Sequence, residues 1–362
     1  MIRERVDTGT QQYDIVIGPG LLKRTGSFLE ELNVKKSSRH LVVTDANVEQ
    51  AGHLASVITS LEAAGYAFEV LVIPAGEDSK SLELAAEAYD VAYKAGLDRR
   101  SIVLALGGGV VGDFAGFVAA TYMRGIDFVQ LPTTLLAHDS AVGGKVAVNL
   151  PQAKNMIGAF HQPLAVLYDT QALHTLPIRE LRSGLAEAIK HGVIRDAELF
   201  RWIDENIEGI LRVDDAVMAE LLARSCRVKV EVVSEDEKEH GLRAILNFGH
   251  TLGHAVEWAS DFTHGEAVAL GMVAEAELSA DLGLCDQDAV AEVRRVVAKA
   301  GLPSGVPADL SADEMIASMR QDKKATGGDL TFVLMRRIGD VEIVKAVPEE
   351  PVRRMIEKSR SK

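Results

Sequence analysis

The segment from 101 to 121 constrains the chain more than any other. Ser101-Ile-Val-Leu-Ala-Leu106 is a nearly unbroken apolar run, followed by Gly107-Gly-Gly-Val-Val-Gly-Asp113 and then by a helical pattern from Phe114 to Thr121. A run without polar alternation reads as a strand covered on both faces, as in parallel sheets flanked by helices. Strand, glycine turn and helix in succession let backbone N–H groups and a helix N-terminus meet a phosphate, and glycines are required where a side chain would hold the ligand away. The loop is not the G-x-G-x-x-G fingerprint in its usual place near the start of a chain. Nor is there a Walker A loop: Gly143-Gly-Lys145 is followed by Val146, and Asp139 stands where the first glycine belongs. Taken alone, the loop is either a pyrophosphate cradle or a structural tight turn.

The surroundings favour an α/β fold. Strand patterns fall at 13–17, 40–44, 68–73, 101–106, 128–131 and 165–168, with amphipathic helical stretches such as 48–64 and 82–95 between them. From about Pro177 the period is helical almost throughout, over 178–211, 214–239, 244–260, 264–282, 287–300 and 312–321. Gly301, Pro303, Pro307 and Ser311 punctuate one boundary, and 330–335 with 341–344 reads as a closing hairpin. The expectation is an N-terminal nucleotide-binding α/β domain with a mostly parallel sheet over 1–176, and a mainly α-helical domain over 177–362.

Composition removes several functions. The net charge of -14 argues against nucleic acid and against an anionic membrane surface, both of which need a basic face. No apolar run approaches the roughly 18 residues of a membrane span, and the N-terminus has no signal-peptide core, so the cytoplasm is expected. Cys226 and Cys285 are the only two cysteines; both fall in helical-looking stretches and read as reduced thiols.

Candidate site residues gather at strand ends and in the helical half. Thr44-Asp-Ala-Asn47 ends a strand, where an acidic residue can accept from a ribose hydroxyl, although Asp45 or Asn47 could equally cap the next helix. Pro74-Ala-Gly-Glu-Asp-Ser-Lys80 also joins a strand to a helix. Three of the ten histidines, His250, His254 and His264, lie within fifteen residues. His250 and His254 share a helix face, as in zincins, but Thr251 follows His250 where a metallopeptidase carries its glutamate base, which disfavours a peptidase. A catalytic zinc takes three protein ligands and keeps an open position. Glu187 is the acidic candidate, and its plain alternative is an ion pair with Lys190 at i+3. Lys145, Lys154 with Asn155, Arg243 with Asn247, and Lys323 with Lys324 are candidate anchors for a phosphate or carboxylate.

Together these motifs resemble the 3-dehydroquinate synthase family, within the sugar-phosphate cyclases. The resemblance covers nearly the whole chain. It runs through Gly76-Glu77 with Lys80, Leu106-Gly-Gly-Gly-Val-Val-Gly-Asp113, Thr121-Tyr-Met-Arg-Gly125 and Pro132-Thr-Thr134. It continues through Asp139-Ser-Ala-Val-Gly-Gly-Lys145, Lys154-Asn-Met-Ile-Gly-Ala-Phe160, Gly184-Leu-Ala-Glu187 and the segment from Asn247 to His254. Ala137-His-Asp-Ser resembles one branch of the family, with Asp139 aligned by the Gly-Gly-Lys that follows.

The resemblance implies zinc, or cobalt in its place, on Glu187, His250 and His264, which moves His254 from the metal to the substrate. It implies NAD at Asp45, Asn47, Ala75, Gly76, Glu77, Asp78, Ser79, Lys80, Gly109, Val110, Val111, Gly112, Asp113, Thr133, Thr134, Lys145, Lys154, Ala172, Leu173, His174 and Thr175. An anionic sugar phosphate would meet Asp139, Lys145, Asn155, Lys190, Lys229, Arg243, Asn247, His254 and one of Lys323 or Lys324, with Lys324 preferred. Arg124 matches the arginine that reaches the partner subunit's site in a homodimer. The implied reaction converts 3-deoxy-D-arabino-heptulosonate 7-phosphate to 3-dehydroquinate and phosphate. It proceeds by transient oxidation with NAD, phosphate elimination, reduction and intramolecular aldol closure, and it serves the shikimate pathway to aromatic amino acids. The competing readings are a glycerol dehydrogenase-like or iron-containing alcohol dehydrogenase-like oxidoreductase, a sister cyclase such as 2-deoxy-scyllo-inosose synthase, and an NAD-binding regulatory protein. Lys145, Asn155, Arg243 and Asn247 argue against the first, Lys229 and Arg243 against the second, and the histidine set against the third.

Overall fold

The strand that feeds the glycine loop lies near the middle of a seven-stranded sheet. A computed structural model describes residues 1–237, 241–321 and 330–360. The strands are β1 (Ile2–Asp7), β2 (Gln12–Gly18), β3 (Arg39–Asp45), β4 (Ala67–Ile73), β5 (Ile102–Gly107) and β6 (Asp127–Pro132). After a ribbon of β7 (Lys145–Leu150) and β8 (Ala153–Phe160), β9 (Ala165–Asp169) completes the sheet. Its order is β1-β2-β9-β6-β5-β3-β4, parallel except for β1 against β2. From β3 the chain moves outward to β4, then returns to the other side of β3 as β5. That reversal opens a crevice at the C-terminal ends of β3 and β5, where open α/β sheets bind ligands.

Alternate side chains of the central strands enter two different cores, which is why these strands read as continuous apolar runs. Val42, Leu104 and Val129 pack with helices α1 (Thr25–Glu31) and α3 (His53–Ala63). Leu41, Val103 and Phe128 pack on the other face with α4 (Leu82–Lys94) and α5 (Gly109–Thr121). Side chains of β6 and of the loop after it close on the glycines at the start of α5. A Cβ on Gly112 would lie 2.7 Å from Gln130 Oε1, and one on Gly108 2.8 Å from Thr134 Cγ2. The Gln130 and Thr134 side chains thus occupy the space that a Cβ would take at these two positions, whatever the loop binds.

Two compact units emerge, Met1–Leu176 with Asp215–Glu237, and Pro177–Asp214 with Lys238–Lys362. The first takes in one element from the second half of the sequence: α9 (Asp215–Glu235) packs on β1, with Arg227 Nη2 2.6 Å from Glu4 Oε1. In the second unit, α7 (Ile178–Ile194), α8 (Ala197–Leu211), α10 (His250–Ala259), α11 (His264–Asp281) and α12 (Gln287–Lys299) are followed by α13 (Ala312–Gln321). A hairpin of β10 (Phe332–Arg337) and β11 (Asp340–Val344) and a last helix, α14 (Glu349–Lys358), complete it. Helix α11 is buried over most of its circumference, as expected of a central helix. α2 (Ala46–Gln50) and α6 (Ala137–Ser140) are short turns in the first unit.

The differences from the sequence reading have local causes. The stretch 48–64 is broken by Gly52 at φ 84°, which ends α2 before α3. The stretch 178–211 breaks where Asp196 accepts from the N–H groups of Glu198 and Leu199 and caps α8. The stretch 244–260 becomes a 3-10 turn (Leu242–Asn247) and α10, separated by Gly249 at φ 80°. β1 and β8 carry too few buried apolar residues to be read as strands, with only Val6 buried on β1, and the buried run on β7 is only Val146-Ala-Val148. Cys285 lies outside α11, which Gly283 at φ 75° closes, and both cysteines are free. Among the described residues no helix is long and apolar enough to cross a membrane.

His40, fully buried on β3, ties two strands of the first unit. Its Nε2–H donates to Lys35 O at 3.1 Å, and its Nδ1 accepts from Ile102 N–H at 3.1 Å, so the ring must be neutral. Burial accordingly lowers its pKa. An unfolded chain takes up the proton first as pH falls through about 6.5, so this contribution to stability is present above that pH and is lost below it. His40→Leu should cost roughly 1–3 kcal/mol at pH 8, because the buried Ile102 N–H loses its acceptor while Lys35 O keeps the Ser38 N–H at 3.2 Å. In denaturant melts the gap to wild type should narrow by pH 5; a gap independent of pH would contradict the assigned tautomer.

Candidate active site

The second unit brings its three candidate ligands together through the starts of two helices and the middle of a third. On α7, Glu187 and Lys190 are i and i+3 on one face, and each is 1% exposed. Helix α11 starts at His264 because Thr263 and Glu266 form a capping box: Thr263 Oγ1 accepts Glu266 N–H at 3.3 Å, and Glu266 Oε2 accepts Thr263 N–H at 2.8 Å. Arg179, in the first turn of α7, forks onto the same Glu266 at 2.9 and 2.7 Å. Gly265 N–H donates to Ser183 Oγ at 3.0 Å. These contacts dock the start of α11 on α7 and set His264 over Glu187.

The result is a compact donor cluster. Glu187 Oε1 lies 3.2 Å from His264 Nε2 and 3.4 Å from His250 Nε2, while Oε2 faces the Lys190 ammonium. One donor atom each from Glu187, His250 and His264 falls within 4.8 Å of the others, but so does a second group of His254, Glu257 and His264. Hydrogen bonding sets the protonation of the rings. Phe248 O can only accept, so His250 Nδ1, 3.1 Å away, carries the proton and Nε2 presents a lone pair. Burial, reinforced by the Lys190 charge, pushes the His250 pKa down to about 3. At His264 burial works against charge, but Glu187 on Nε2 and Glu257 on Nδ1 at 3.0 Å outweigh it and raise the pKa to about 9. Burial also opposes the Glu187 charge, yet the Lys190 ammonium at Oε2 and the hydrogen bond from His264 hold the carboxyl well below the usual carboxylate range.

In the first unit the expected nucleotide residues are only partly brought together. Lys80, buried after β4, reaches Asp113 Oδ2 at 2.7 Å, Asn155 Oδ1 at 2.5 Å and Glu77 Oε1 at 3.4 Å. Burial disfavours its ammonium, but Asp113 and Glu77 outweigh that and raise its pKa. Asn149 joins this network, donating to Glu77 Oε1 at 2.9 Å and accepting Asn155 N–H at 2.7 Å, which holds Asn155 at φ 55°. Gly76 takes φ 107° in the turn of Ala75, Asp78 and Ser79, and Ser79 Oγ donates to Pro74 O. Gly109, Val110 and Val111 form the first turn of α5, and Thr133 N–H donates to Gly107 O at 3.0 Å beside Thr134.

Other expected residues have structural partners. Asp45 caps α2, accepting from Asn47 and Val48 N–H at 2.9 and 3.0 Å. Ala172 and Leu173 are buried, His174 Nε2 lies 3.0 Å from Asp215 Oδ1, and Thr175 Oγ1 lies 2.8 Å from His53 Nε2. Asp139 Oδ1 pairs with Lys229 Nζ at 2.8 Å. Lys145 and Lys154 are exposed on β7 and β8. Arg124, exposed at φ 70°, makes no hydrogen bond or ion pair among the described residues. Arg243, 1% exposed, and Asn247 sit in the 3-10 turn before His250, and His254 lies on α10 with its ring 5.2 Å from that of His250. Lys323 and Lys324 lie outside the described residues.

Sequence reasoning missed Glu257 and Asn149. Glu257 had a signal, since His250, His254 and Glu257 follow i, i+4, i+7 on one helix stripe. Asn149 had none, because its partners are brought in by the β7–β8 ribbon.

Known proteins similar to this chain give its family. The family model for the 3-dehydroquinate synthase N-terminal region matches residues 70–183, and that for the C-terminal region matches residues 184–325. A 3-dehydroquinate synthase of Desulforamulus reducens is 48% identical over 352 residues, 96% of this chain and 97% of that protein. A 2-epi-5-epi-valiolone synthase from Streptomyces hygroscopicus, solved with NAD+ and Zn2+ bound, superimposes with a TM-score of 0.87 at 30% identity, covering 96% of each chain. A 2-deoxy-scyllo-inosose synthase complexed with carbaglucose-6-phosphate, NAD+ and Co2+ gives 0.89 at 24% identity, covering 99% of this chain and 100% of the other, and shows the shared fold. With both family models matched and nearly half its residues identical to such a relative across almost its full length, the chain belongs to the 3-dehydroquinate synthase family.

Proposed function

We propose that the protein converts 3-deoxy-D-arabino-heptulosonate 7-phosphate to 3-dehydroquinate and phosphate, with NAD and a divalent metal, zinc or cobalt, as resident cofactors. The observation that carries the reading is the convergence of Glu187, His250 and His264 in a chain of this family. The donor set fits a metal. His250 Nε2 and Glu187 Oε1 are both acceptors 3.4 Å apart, an arrangement that repels unless a cation or proton lies between them. One carboxylate and two imidazoles suit zinc and leave a coordination position for a substrate oxygen. Glu257 orients His264 through Nδ1, as carboxylates do behind metal-bound histidines. The start of α5 fits a pyrophosphate: Gly108 offers no capping side chain, and the first-turn N–H groups of Gly109, Val110 and Val111 project from the helix end. The related valiolone synthase was solved with NAD+ and Zn2+, which supports both assignments.

When bound, the metal supplies Lewis acidity toward a substrate hydroxyl, and the nicotinamide supplies a reversible hydride acceptor. The chain's own residues bind and orient. Lys190 and Arg243, each 1% exposed, provide fixed positive charge for the anionic substrate. His254, beside His250, is placed to hold a substrate oxygen and move a proton at it. Lys80 and Asn149 hold Asn155 for the substrate, and Lys145 and Lys154 add cations for phosphate groups. Asp139 keeps the Lys229 ammonium in place for an acidic group of the substrate. We further propose a cytoplasmic homodimer, with exposed Arg124 serving the partner subunit's site.

The purified protein should release phosphate from the heptulosonate phosphate with no net NADH, and a chelator should abolish release. Accumulating NADH, or turnover insensitive to metal removal, would contradict the reading. His264→Ala should lose the metal, whereas His254→Ala should keep it and lose turnover. Metal analysis of the two variants checks this, and equal metal loss in both would overturn the division of roles.

A further inference from the structure

Helix α10 begins at His250, and its N-cap, Gly249, has no side chain to satisfy the N–H groups of the first turn. The cap comes instead from another helix. Glu275, fully buried in α11, accepts from Gly249 N–H at 2.7 Å, Thr251 N–H at 3.1 Å and Leu252 N–H at 3.3 Å. A carboxylate there also meets the positive end of the helix dipole. So short a side chain reaches the turn because the two backbones nearly touch. A Cβ on Gly249 would lie 2.9 Å from Met272 N, and one on Gly271 3.1 Å from Gly253 N. The three N–H groups that Glu275 holds bracket His250 on both sides, and the His250 ring is tied only two residues back, to Phe248 O at 3.1 Å.

We propose that Glu275 is a positioning residue for the metal site: by pinning the backbone on either side of His250 it holds that imidazole's Nε2 against Glu187. The inference rests on the metal reading above and adds to it a residue that touches neither metal nor substrate. Groups that orient metal-bound histidines typically change affinity about 10–100-fold.

The experiment is a zinc titration of the full-length protein against a competing chelator dye, at a temperature where circular dichroism shows every variant folded. Glu275→Ala should weaken zinc binding at least tenfold. Glu275→Gln keeps one acceptor oxygen but turns an amide NH2 toward an N–H group, so it should weaken binding several-fold; if Glu275→Ala does not fold, Glu275→Gln decides alone. Ser279→Ala is the control for a purely structural role. Ser279 lies one turn further along α11; its Oγ accepts Met335 N–H at 2.8 Å and donates to the Glu275 backbone carbonyl at 2.6 Å but not to its carboxylate, so its loss should lower the Tm and leave zinc affinity unchanged. Wild-type affinity in both Glu275 variants, or an equal loss in Ser279→Ala, would overturn the inference while leaving the metal reading intact. A wild-type protein that binds zinc no better than His250→Ala would instead overturn the metal reading, and this inference with it.

Discussion

The second unit is organised around one buried carboxylate. Glu187, 1% exposed, must be compensated by opposite charge or hydrogen bonds, because an unpaired carboxylate at that depth is prohibitively costly. Lys190 supplies a cation from the same helix, and His250 and His264 arrive from two others. Bringing these helices together requires close backbone approaches: Gly265 permits that of α11 to α7, and Gly249 and Gly271 that of α10 to α11. Devices that would be routine elsewhere, a capping box at Thr263 and an arginine fork on Glu266, act here to aim a histidine.

The same reasoning explains how much could be read from the sequence. Strands β3, β5, β6 and β9 declared themselves because both of their faces are buried, and the edge strand β4 because its apolar residues still pack, partly buried, on both cores. The start of α11 at His264 was legible because Thr263 and Glu266 mark it, and the break at Asp196 was legible in principle by the same capping chemistry. The allegiance of α9 was not, because helical periodicity shows that a helix buries a face but not what covers it. The ribbon β7–β8 escaped for the converse reason: β8 is largely exposed, and the buried run on β7 is only three residues long, Val146-Ala-Val148.

At the site, residue types were readable and partners were not. Three clustered histidines suggested a metal, but spacing alone paired His250 with His254. Geometry sets His250 and His264 on Glu187 and gives His264 a second carboxylate, Glu257. Asp45 is the opposite case: it holds the strand-end position of a ribose acceptor, and the contacts it shows are those of a helix cap. The fold alone would not have separated cyclases from one another, since a TM-score of 0.89 accompanies only 24% identity to an inosose synthase.

The most direct test of the central claim, that Glu187, His250 and His264 form the ligand set while His254 stands aside, is the X-ray absorption spectrum of the zinc-loaded protein. It should show two imidazole nitrogens at about 2.0–2.1 Å with oxygen completing the shell. A third imidazole in that shell, or a sulfur, would contradict the assignment.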